Sequence, residues 1–436
     1  MCSCNVANVL RSKRMGKTRY FTSSNINLSA EGDCYYLNGE PLEREEKSGK
    51  TNYKLSEFKG EVSKAVSKFV DRSFENIIVL IGAGASVVMD DNDSIDGRYG
   101  KTVSMIAETV FNQLKSGSYC FQYSKPEKNE INVFPLEKMA VKIGYSDNIL
   151  DETNNKLDSS FDLEAFLSRL IMHNQFVVED KEKWEESQSA IFDIIKQETS
   201  YGYDKDVFHH AALINILSKK LASESKLSVV TTNYDTLVED AAESMNYTVF
   251  DGFSFSRTPR FDDDMFEWHL SKHVSDVKTR ENIYKKNVID LLKIHGSLTW
   301  RMSKSGENVV RLDKHAPGES VMIFPSSDKY MQSYEEPYFE LFARFQDLLK
   351  RPNTLLVTTG FSFADNHISR MIIQAVSHNP GLSTLITDYS LDSAKPNKNW
   401  SELQHMMENA NSVAFLRATL NKDLTKYLVG YPEEIS

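Results

Sequence analysis

Residues 77–86 read IIVLIGAGAS and decide the fold class of this chain. The first five residues are apolar and mostly β-branched, with no polar alternation, which is typical of a strand buried on both faces in a parallel sheet. The glycines that follow permit a tight turn and let backbone N–H groups approach a phosphate. Val87 stands where a third glycine of a G-x-G-x-x-G motif would be. A tight strand-to-helix turn without a ligand therefore stays open as an alternative.

Similar apolar runs return along the chain, each followed by a polar or glycine-containing turn and several by helical periodicity. They cover residues 229–232, 291–294, 321–324, 355–359 and 385–387. Strands that alternate with helices predict an α/β fold with a doubly wound parallel, Rossmann-like sheet. Such sheets bind ligands at the carboxyl ends of their strands, so functional residues are expected just after these runs.

Composition indicates a folded chain and excludes several classes of protein. The 436 residues are 40% apolar, and no apolar stretch approaches the roughly 20 residues of a membrane span. The N-terminus lacks the apolar core of a secretory signal, and the formal charge of -11 argues against general binding to nucleic acid. The four cysteines include no CxxC pair, which excludes a disulfide scaffold and a tetrathiolate zinc site. We expect a cytoplasmic protein.

The pattern divides the chain into four segments. Residues 1–55 form a polar N-terminal extension, whose basic residues between 11 and 19 we interpret as a disordered arm. The nucleotide-binding domain is expected at 56–100 and 227–395, interrupted by a mainly helical insertion at 101–226. Residues 396–436 would complete the domain.

Polar residues follow the predicted strands where a ligand is expected. In TTNYD (231–235), Asn233 and Asp235 can orient a sugar hydroxyl or a water, although Asp235 can equally cap the next helix. In HGS (295–297), the imidazole of His295 suits general acid–base work near neutral pH. In GFSFADNH (360–367), Gly360 allows close backbone approach and Ser362 offers a hydroxyl, with Asp365 as a helix cap.

These four motifs, in this order, resemble the NAD-binding core of the sirtuins over roughly residues 75–90 and 225–390. The resemblance implies a sirtuin-type sheet that binds NAD, with His295 as general base and with Asn233 and Asp235 beside the nicotinamide ribose. It also implies contacts to NAD from the turns at the strand ends, at Gly82, Ala83, Gly84, Ser86, Thr232, Gly360, Ser362 and Asp388.

The sequence lacks two features of the sirtuin deacylases, and this narrows the part of the family that it resembles. No cysteine follows Cys120, so their zinc ribbon is absent, and so is the phenylalanine-rich strand that pairs with the acyl-lysine peptide. What remains resembles the sirtuin-like NAD hydrolases of bacterial antiphage defence. The stretches at 251–264 and 360–368 are similar to the branch that works with a HerA-type hexameric ATPase. That resemblance implies NAD as the substrate, hydrolysis of its nicotinamide–ribose bond, no zinc, and a large homo-oligomer.

Alternatives from other classes stay open at this stage. They are a protein deacylase, a hydride-transferring dehydrogenase, and a non-enzymatic sensor or scaffold that binds NAD or ADP-ribose. A metal site is a further possibility if His269 and His273 share one helix face beside the acidic run at 262–264.

Overall fold

A computed structural model of the chain describes most of the sequence. The described residues are 17–46, 49–90, 94–122, 130–151, 154–158, 160–222, 224–274, 282–303, 305–318, 320–322, 337–392, 396–409 and 412–430.

The strands in chain order are β1 (Thr18–Ser23), β2 (Asn27–Glu31), β3 (Cys34–Leu37), β4 (Glu40–Pro41), β5 (Glu43–Glu46), β6 (Gly49–Asn52), β7 (Asn76–Ile81), β8 (Ser118–Tyr119), β9 (Ile131–Asn132), β10 (Leu227–Thr231), β11 (Thr248–Phe250), β12 (Ser271–His273), β13 (Asn282–Tyr284), β14 (Val288–Lys293), β15 (Trp300–Met302), β16 (Val309–Arg311), β17 (Thr354–Thr359), β18 (Leu382–Asp388) and β19 (Val413–Arg417).

The helices are α1 (Leu55–Val70), α2 (Val103–Leu114), α3 (Leu136–Lys142), α4 (Leu163–Phe176), α5 (Lys181–Thr199), α6 (His210–Ser218), α7 (Leu237–Ser244), α8 (Tyr338–Lys350), α9 (Asn366–His378), α10 (Lys398–Glu408) and α11 (Thr425–Val429). Short 3₁₀ turns lie at Ala83–Ala85 and Asp263–Glu267, and a π-helical turn lies at Leu420–Leu424. Among the described residues, no helix combines the length and the apolar character needed to cross a bilayer.

The main sheet is mixed, with the strand order β11-β14-β10-β7-β17-β18-β19-β1-β2-β3-β4. The strands from β11 to β19 are all parallel to their neighbours in this order. From β7 the chain goes to β10 on one side, and β17 returns on the other side. The edge between β7 and β17 is therefore a topological switch point, where α/β sheets bind ligands.

The predicted α/β class with a parallel sheet is confirmed for the central strands. The apolar runs at 77–81, 229–232, 291–294, 355–359 and 385–387 correspond to β7, β10, β14, β17 and β18. The predicted strand at 321–324 is different. Met322 makes an isolated bridge to Gly296, and residues 323–324 lie outside the described part.

The N-terminal segment extends this sheet, which the sequence analysis did not predict. β1 pairs antiparallel with β19, and β2, β3 and β4 follow as antiparallel neighbours. Buried Tyr35 stacks on Phe58 of α1 with ring centroids 4.5 Å apart. Arg19, which we interpreted as part of a disordered arm, lies in β1 and pairs with Asp392 at 2.7 Å. The polar composition hid these strands because few of their residues reach the core.

Helices cover both faces of the sheet. One apolar cluster packs α1, α6, α7 and α11 against one face, and a second packs α8, α9 and α10 against the other. A third cluster joins α2, α3, α4 and α5, within the predicted insertion. Tyr234 and Met322 pack against that third cluster. Because Tyr234 follows β10, the insertion lies near the carboxyl edge of the sheet.

Candidate functional site at the carboxyl edge of the sheet

The turn after β7 and the turn after β17 pack backbone against backbone. The N–H of Gly84 donates to the carbonyl of Gly360 at 2.9 Å, and the N–H of Gly82 donates to Thr359 at 3.0 Å. A Cβ at Gly82 would lie 2.5 Å from the Gly360 carbonyl oxygen, and one at Gly360 would overlap the backbone of Ala85. Close packing of two turns at the switch point therefore accounts for glycine at these positions.

The N–H groups of the glycine turn are largely used within the turn itself. Ala85, Ser86 and Val87 donate to the carbonyls of Gly82, Ala83 and Gly84 at 2.9, 3.1 and 3.4 Å. Gly84 is exposed and Ala83 is half-buried, whereas Ser86 is buried. The predicted contacts of these residues to a diphosphate stay predictions. The exposed backbone of Gly84 and Ala83 is the part of the turn open to a ligand.

The amide of Asn233 is fixed in one orientation. Its Nδ2 donates to the carbonyl of Gly82 at 3.1 Å and to Oγ of Ser86 at 3.0 Å. Because a carbonyl oxygen can only accept, the nitrogen must face Gly82. Oδ1 of Asn233 is buried and has no hydrogen-bond partner among the described residues. A buried acceptor without a donor is costly, so this atom is suited to a water or a hydroxyl group supplied from outside.

Asp235 is the centre of the network that holds Asn233. Its Oδ2 accepts hydrogen bonds from Oγ of Ser86 and from the hydroxyl of Tyr201, both at 2.8 Å. Its Oδ1 accepts from the N–H of Leu237 at the start of α7, at 3.1 Å. Since Ser86 in turn accepts from Asn233, the carboxylate acts on the amide through the serine. A carboxylate with three donors is a structural support rather than a nucleophile.

Tyr201 is a site residue that the sequence analysis missed. It lies between α5 and α6, and burial, followed by the charge of Asp235, raises the pKa of its hydroxyl well above the ordinary value. The phenol therefore stays protonated and keeps donating to Asp235. Nothing in the sequence marks Tyr201, because it does not follow a strand.

Asn421 is a second residue that the sequence analysis missed. Its Nδ2 donates to the carbonyls of Ala85 and Val87 at 2.8 and 2.9 Å, and its Oδ1 accepts from the N–H of His209 at 3.2 Å. The π-helical turn near the C-terminus thus holds the glycine turn from outside the sheet. A lone asparagine far along the chain carries no signal of this role.

His295 lies at the same edge, buried to 3% exposure just after β14. Its Nε2 is 3.3 Å from Oδ2 of Asp365, which follows β17. β10 and β7 lie between those two strands, which spaces β14 and β17 by about 14 Å. The segment that carries Asp365 therefore reaches across the ends of both intervening strands to meet the imidazole.

The strand register aligns the predicted catalytic residues. Thr231 pairs with Lys293 and with Ile81, so β7, β10 and β14 end at one level. Asn233 and His295 each follow that level by two residues. The structure thus brings Asn233, His295 and the glycine turn to one edge of the sheet.

The segment between Gly360 and Asp365 is held in an unusual conformation. Phe363 is buried with φ of 58°, a left-handed value that a bulky side chain rarely adopts. Its carbonyl accepts from Oγ of Ser369 at 3.1 Å and from Nδ2 of Asn399 at 3.0 Å. Such a conformation costs about 1–3 kcal/mol and persists only where the surroundings impose it. The position of Asp365 is therefore well defined.

The remaining predicted NAD contacts also lie at this edge. Thr232 is half-buried and donates its N–H to Ile81 at 3.1 Å, while Ser362 is exposed. Asp388 ends β18, and burial raises the pKa of its carboxyl. No described contact assigns these residues to a ligand, so their roles stay predictions.

The metal-site alternative does not fit the structure. Asp263 and Asp264 lie in a 3₁₀ turn, His273 lies in β12, and His269 lies in the segment between them. The two histidines therefore do not share a helix face. Over the described ranges, no group of three or more His, Cys, Asp and Glu side chains could hold a metal ion.

Comparison with protein-family models finds a match over part of the chain. Residues 227–411 match the model of the SIR2-like domain. The match contains Asn233, Asp235, His295, Gly360 and Asp365, and it supports a sirtuin-like family and an NAD-related activity. A search of curated proteins finds no match. The glycine turn at 82–86, Tyr201 and Asn421 lie outside the matched residues.

Proposed function

We propose that this protein is an NAD glycohydrolase that cleaves the bond between nicotinamide and ribose. The observation that carries the proposal is the amide of Asn233. It is held by the glycine turn and Ser86, while its Oδ1 is left without a partner among the described residues. This acceptor lies at the carboxyl edge of the sheet, beside the topological switch point where α/β sheets bind ligands. The SIR2-like match, which contains Asn233, supports NAD as that ligand.

Hydrolysis of this bond mainly requires the protein to position the attacking water and to stabilise the charge of the transition state. The nicotinamide of NAD is already cationic, so it leaves as a neutral group and needs no general acid. Asn233 would accept a hydrogen bond from the attacking water and fix its position, which lowers the entropic part of the barrier. His295 would remove the proton from that water. Asp235 would keep Asn233 in place through Ser86.

The surrounding residues fit an NAD molecule lying across the strand ends. The turn at Gly82–Gly84 would lie beside the diphosphate, with Gly360 and Ser362 on the adenosine side. A carboxyl such as Asp388 would accept from a ribose hydroxyl. Thr232, which directly precedes Asn233 in the chain, would lie near the nicotinamide ribose.

Substitution of the two central residues tests the proposal. Purified His295→Ala is expected to lose at least about 10²-fold in NAD turnover, since general acid–base catalysis is typically worth about 10²–10⁴-fold. Asn233→Ala is expected to lose a similar factor, because the attacking water is no longer held in position. Free nicotinamide and ADP-ribose are measured by chromatography after incubation with NAD.

A matched control is His405→Ala, since His405 is a histidine on α10 whose side chain is 75% exposed to solvent. It is expected to turn over NAD at the wild-type rate. Wild-type turnover by either site variant would overturn the proposal. Tight NAD binding without any nicotinamide release, alone or with an activating partner, would favour the sensor alternative instead.

The resemblance to antiphage proteins supports a wider role for this activity. We propose that the protein depletes NAD in infected cells, as a homo-oligomer working with a HerA-type hexameric ATPase. The NAD assay is therefore repeated with such an ATPase, and cellular NAD is followed after phage challenge. Equal NAD levels in cells that carry the wild type and His295→Ala would contradict the effector role.

A further inference from the structure

Asn421 holds the backbone on both sides of Ser86. Its Nδ2 donates to the carbonyls of Ala85 and Val87, the two neighbours of Ser86, at 2.8 and 2.9 Å. The carbonyl of Ser86 itself accepts from the N–H of Gly100, in the segment that leads into α2, at 3.1 Å. Three successive carbonyls are therefore bound by groups from outside the sheet. The position of Ser86 thus depends on the C-terminal π-helical turn and on the start of the helical insertion.

The partners of Asn421 fix the orientation of its amide. Carbonyl oxygens can only accept, so the nitrogen must face them, and the oxygen accepts from the N–H of His209 at 3.2 Å. The turn that carries Asn421 is anchored by Leu420 and Leu424, which are 1% and 0% exposed. Both leucines belong to the same apolar cluster as Ala85. The amide therefore reaches the glycine turn from a well-packed support.

Ser86 passes this placement on to Asn233. Its Oγ accepts from Nδ2 of Asn233 at 3.0 Å and donates to Oδ2 of Asp235 at 2.8 Å. We propose that Asn421 is a positioning residue, which keeps Ser86 where it orients the amide of Asn233. This inference rests on the proposed function, in which Oδ1 of Asn233 accepts from the attacking water. A shift of Ser86 would release that amide and misplace the water.

Other contacts hold the part of the turn that is open to NAD. The N–H of Gly82 donates to the carbonyl of Thr359 at 3.0 Å. The N–H of Gly84 donates to the carbonyl of Gly360 at 2.9 Å. Neither bond involves Asn421, so loss of its amide should disturb the placement of the water more than the binding of NAD. We therefore expect kcat to fall in variants of Asn421 while KM changes little.

Asn421→Ala tests the inference by steady-state kinetics of the purified full-length protein with NAD. A misplacement of about 1 Å can cost about 10²-fold in rate, so we expect kcat to fall by about 10–10²-fold. KM should stay close to that of the wild type. The assay is run at a temperature where circular dichroism shows that wild type and variant are both folded.

Asn379→Ala is the matched control, because Asn379 makes the same set of hydrogen bonds. Its Nδ2 donates to the carbonyls of Leu349 and Arg351, both at 2.9 Å, and its Oδ1 accepts from the N–H of Gly381 at 3.0 Å. Asn379 lies between α9 and β18, so it is at the amino edge of the sheet, away from the candidate site. The control should lose thermal stability as Asn421→Ala does, yet keep the wild-type kcat.

Asn421→Asp replaces the first variant if Asn421→Ala does not fold. It keeps the shape of the side chain and the acceptor for the N–H of His209, but turns an oxygen toward the carbonyls of Ala85 and Val87. Oxygens that can only accept repel each other, so kcat should again fall by about 10-fold or more. Asn379→Asp is its control and should keep the wild-type kcat.

Crystal structures of the wild type and the variants give a readout that does not need NAD hydrolysis. We expect Nδ2 of Asn233 to lie within hydrogen-bond distance of Oγ of Ser86 in the wild type and in Asn379→Ala. In Asn421→Ala the two atoms should lie beyond that distance.

The two proposals fail in different ways. A wild type that does not cleave NAD, together with a displaced amide of Asn233 in Asn421→Ala, would contradict NAD hydrolysis and leave the positioning role of Asn421 intact. An active wild type together with full kcat in folded Asn421→Ala, or with a rise in KM alone, would overturn the inference and leave the proposed hydrolysis intact. An amide of Asn233 that stays in place in Asn421→Ala would overturn the inference whatever the activity.

Discussion

His210 is a buried base whose surroundings oppose its charge. It lies at the start of α6, is 1% exposed, and neither ring nitrogen has a hydrogen-bond partner among the described residues. Burial lowers the pKa of its imidazole to about 4, although the negative charge of Asp235 opposes this shift. His210 therefore stays neutral in the folded protein at physiological pH.

This shift predicts acid sensitivity with a definite sign. The unfolded chain binds a proton at His210 below about pH 6.5, whereas the folded protein does so only near pH 4, so the free energy of unfolding falls as the pH falls through this window. At 1.36 kcal/mol for each pKa unit, the loss approaches about 3 kcal/mol.

Chemical unfolding of the wild type and of His210→Phe between pH 7 and pH 4 measures this loss. Phenylalanine fills the site with an aromatic ring that does not titrate. The free energy of unfolding of the variant should therefore fall by about 3 kcal/mol less than that of the wild type between pH 7 and pH 4. Parallel pH profiles for the two proteins would contradict the prediction.

Among single residues, the sequence allowed prediction of those site residues that directly follow buried strands. Asn233, Asp235 and His295 were found because each comes after an apolar run. Asp365 was expected as a helix cap, and it is one, but its contact with His295 depends on strand order and on a segment that crosses two strands. Tyr201 and Asn421 reach the site from outside the sheet, where no local pattern marks them.

The two turns at the switch point act as one element, and Gly360 is the residue on which their packing depends. A Cβ at Gly360 would overlap the backbone of Ala85, and φ there is 64°. Gly360→Ala is therefore expected to push the glycine turn away, lowering NAD turnover by 10-fold or more, that is by about 1.4 kcal/mol or more of barrier. NAD turnover and thermal unfolding measure the two parts of the effect.

Gly144→Ala is the control for backbone strain alone. Gly144 also has φ of 64°, but nothing lies within 4 Å of its added Cβ. This variant should lose stability only through the unfavourable φ and keep wild-type turnover. Equal behaviour of the two variants would show that the packing of the turns does not matter for activity.

Elements differ in how well the sequence predicts them. β7, β10, β14, β17 and β18 are buried on both faces, so their uninterrupted apolar runs are easily found. The strands from β1 to β4 lie toward one edge of the sheet and carry many exposed polar residues. The pairing of β1 with β19, which follows it by almost the whole chain, is a long-range property that no local pattern contains.

On the scale of the whole molecule, the N-terminal strands belong to the main core rather than to a separate arm. Phe21 of β1 is 1% exposed in the cluster that also contains Phe58 and Leu416. Phe21→Ala should therefore lower the free energy of unfolding by about 3–5 kcal/mol, as truncation of a buried phenylalanine does. Denaturant unfolding followed by circular dichroism measures the change.

Phe255→Ala provides the comparison, because Phe255 is 69% exposed. Its effect should stay within about 0.5 kcal/mol, as for ordinary surface substitutions. A similarly small effect of Phe21→Ala would mean that the N-terminal strands contribute little to the stability of the sheet.

The central place of β7 limits how this protein can be divided. It lies between β10 and β17, yet it precedes both by a long stretch of chain. A fragment that starts at residue 227 would lack β7, which is an inner strand of the sheet. Its strands β10 and β17 would then have no strand between them to pair with. We therefore expect engineered hybrids to fail when only the matched stretch, residues 227–411, is transplanted.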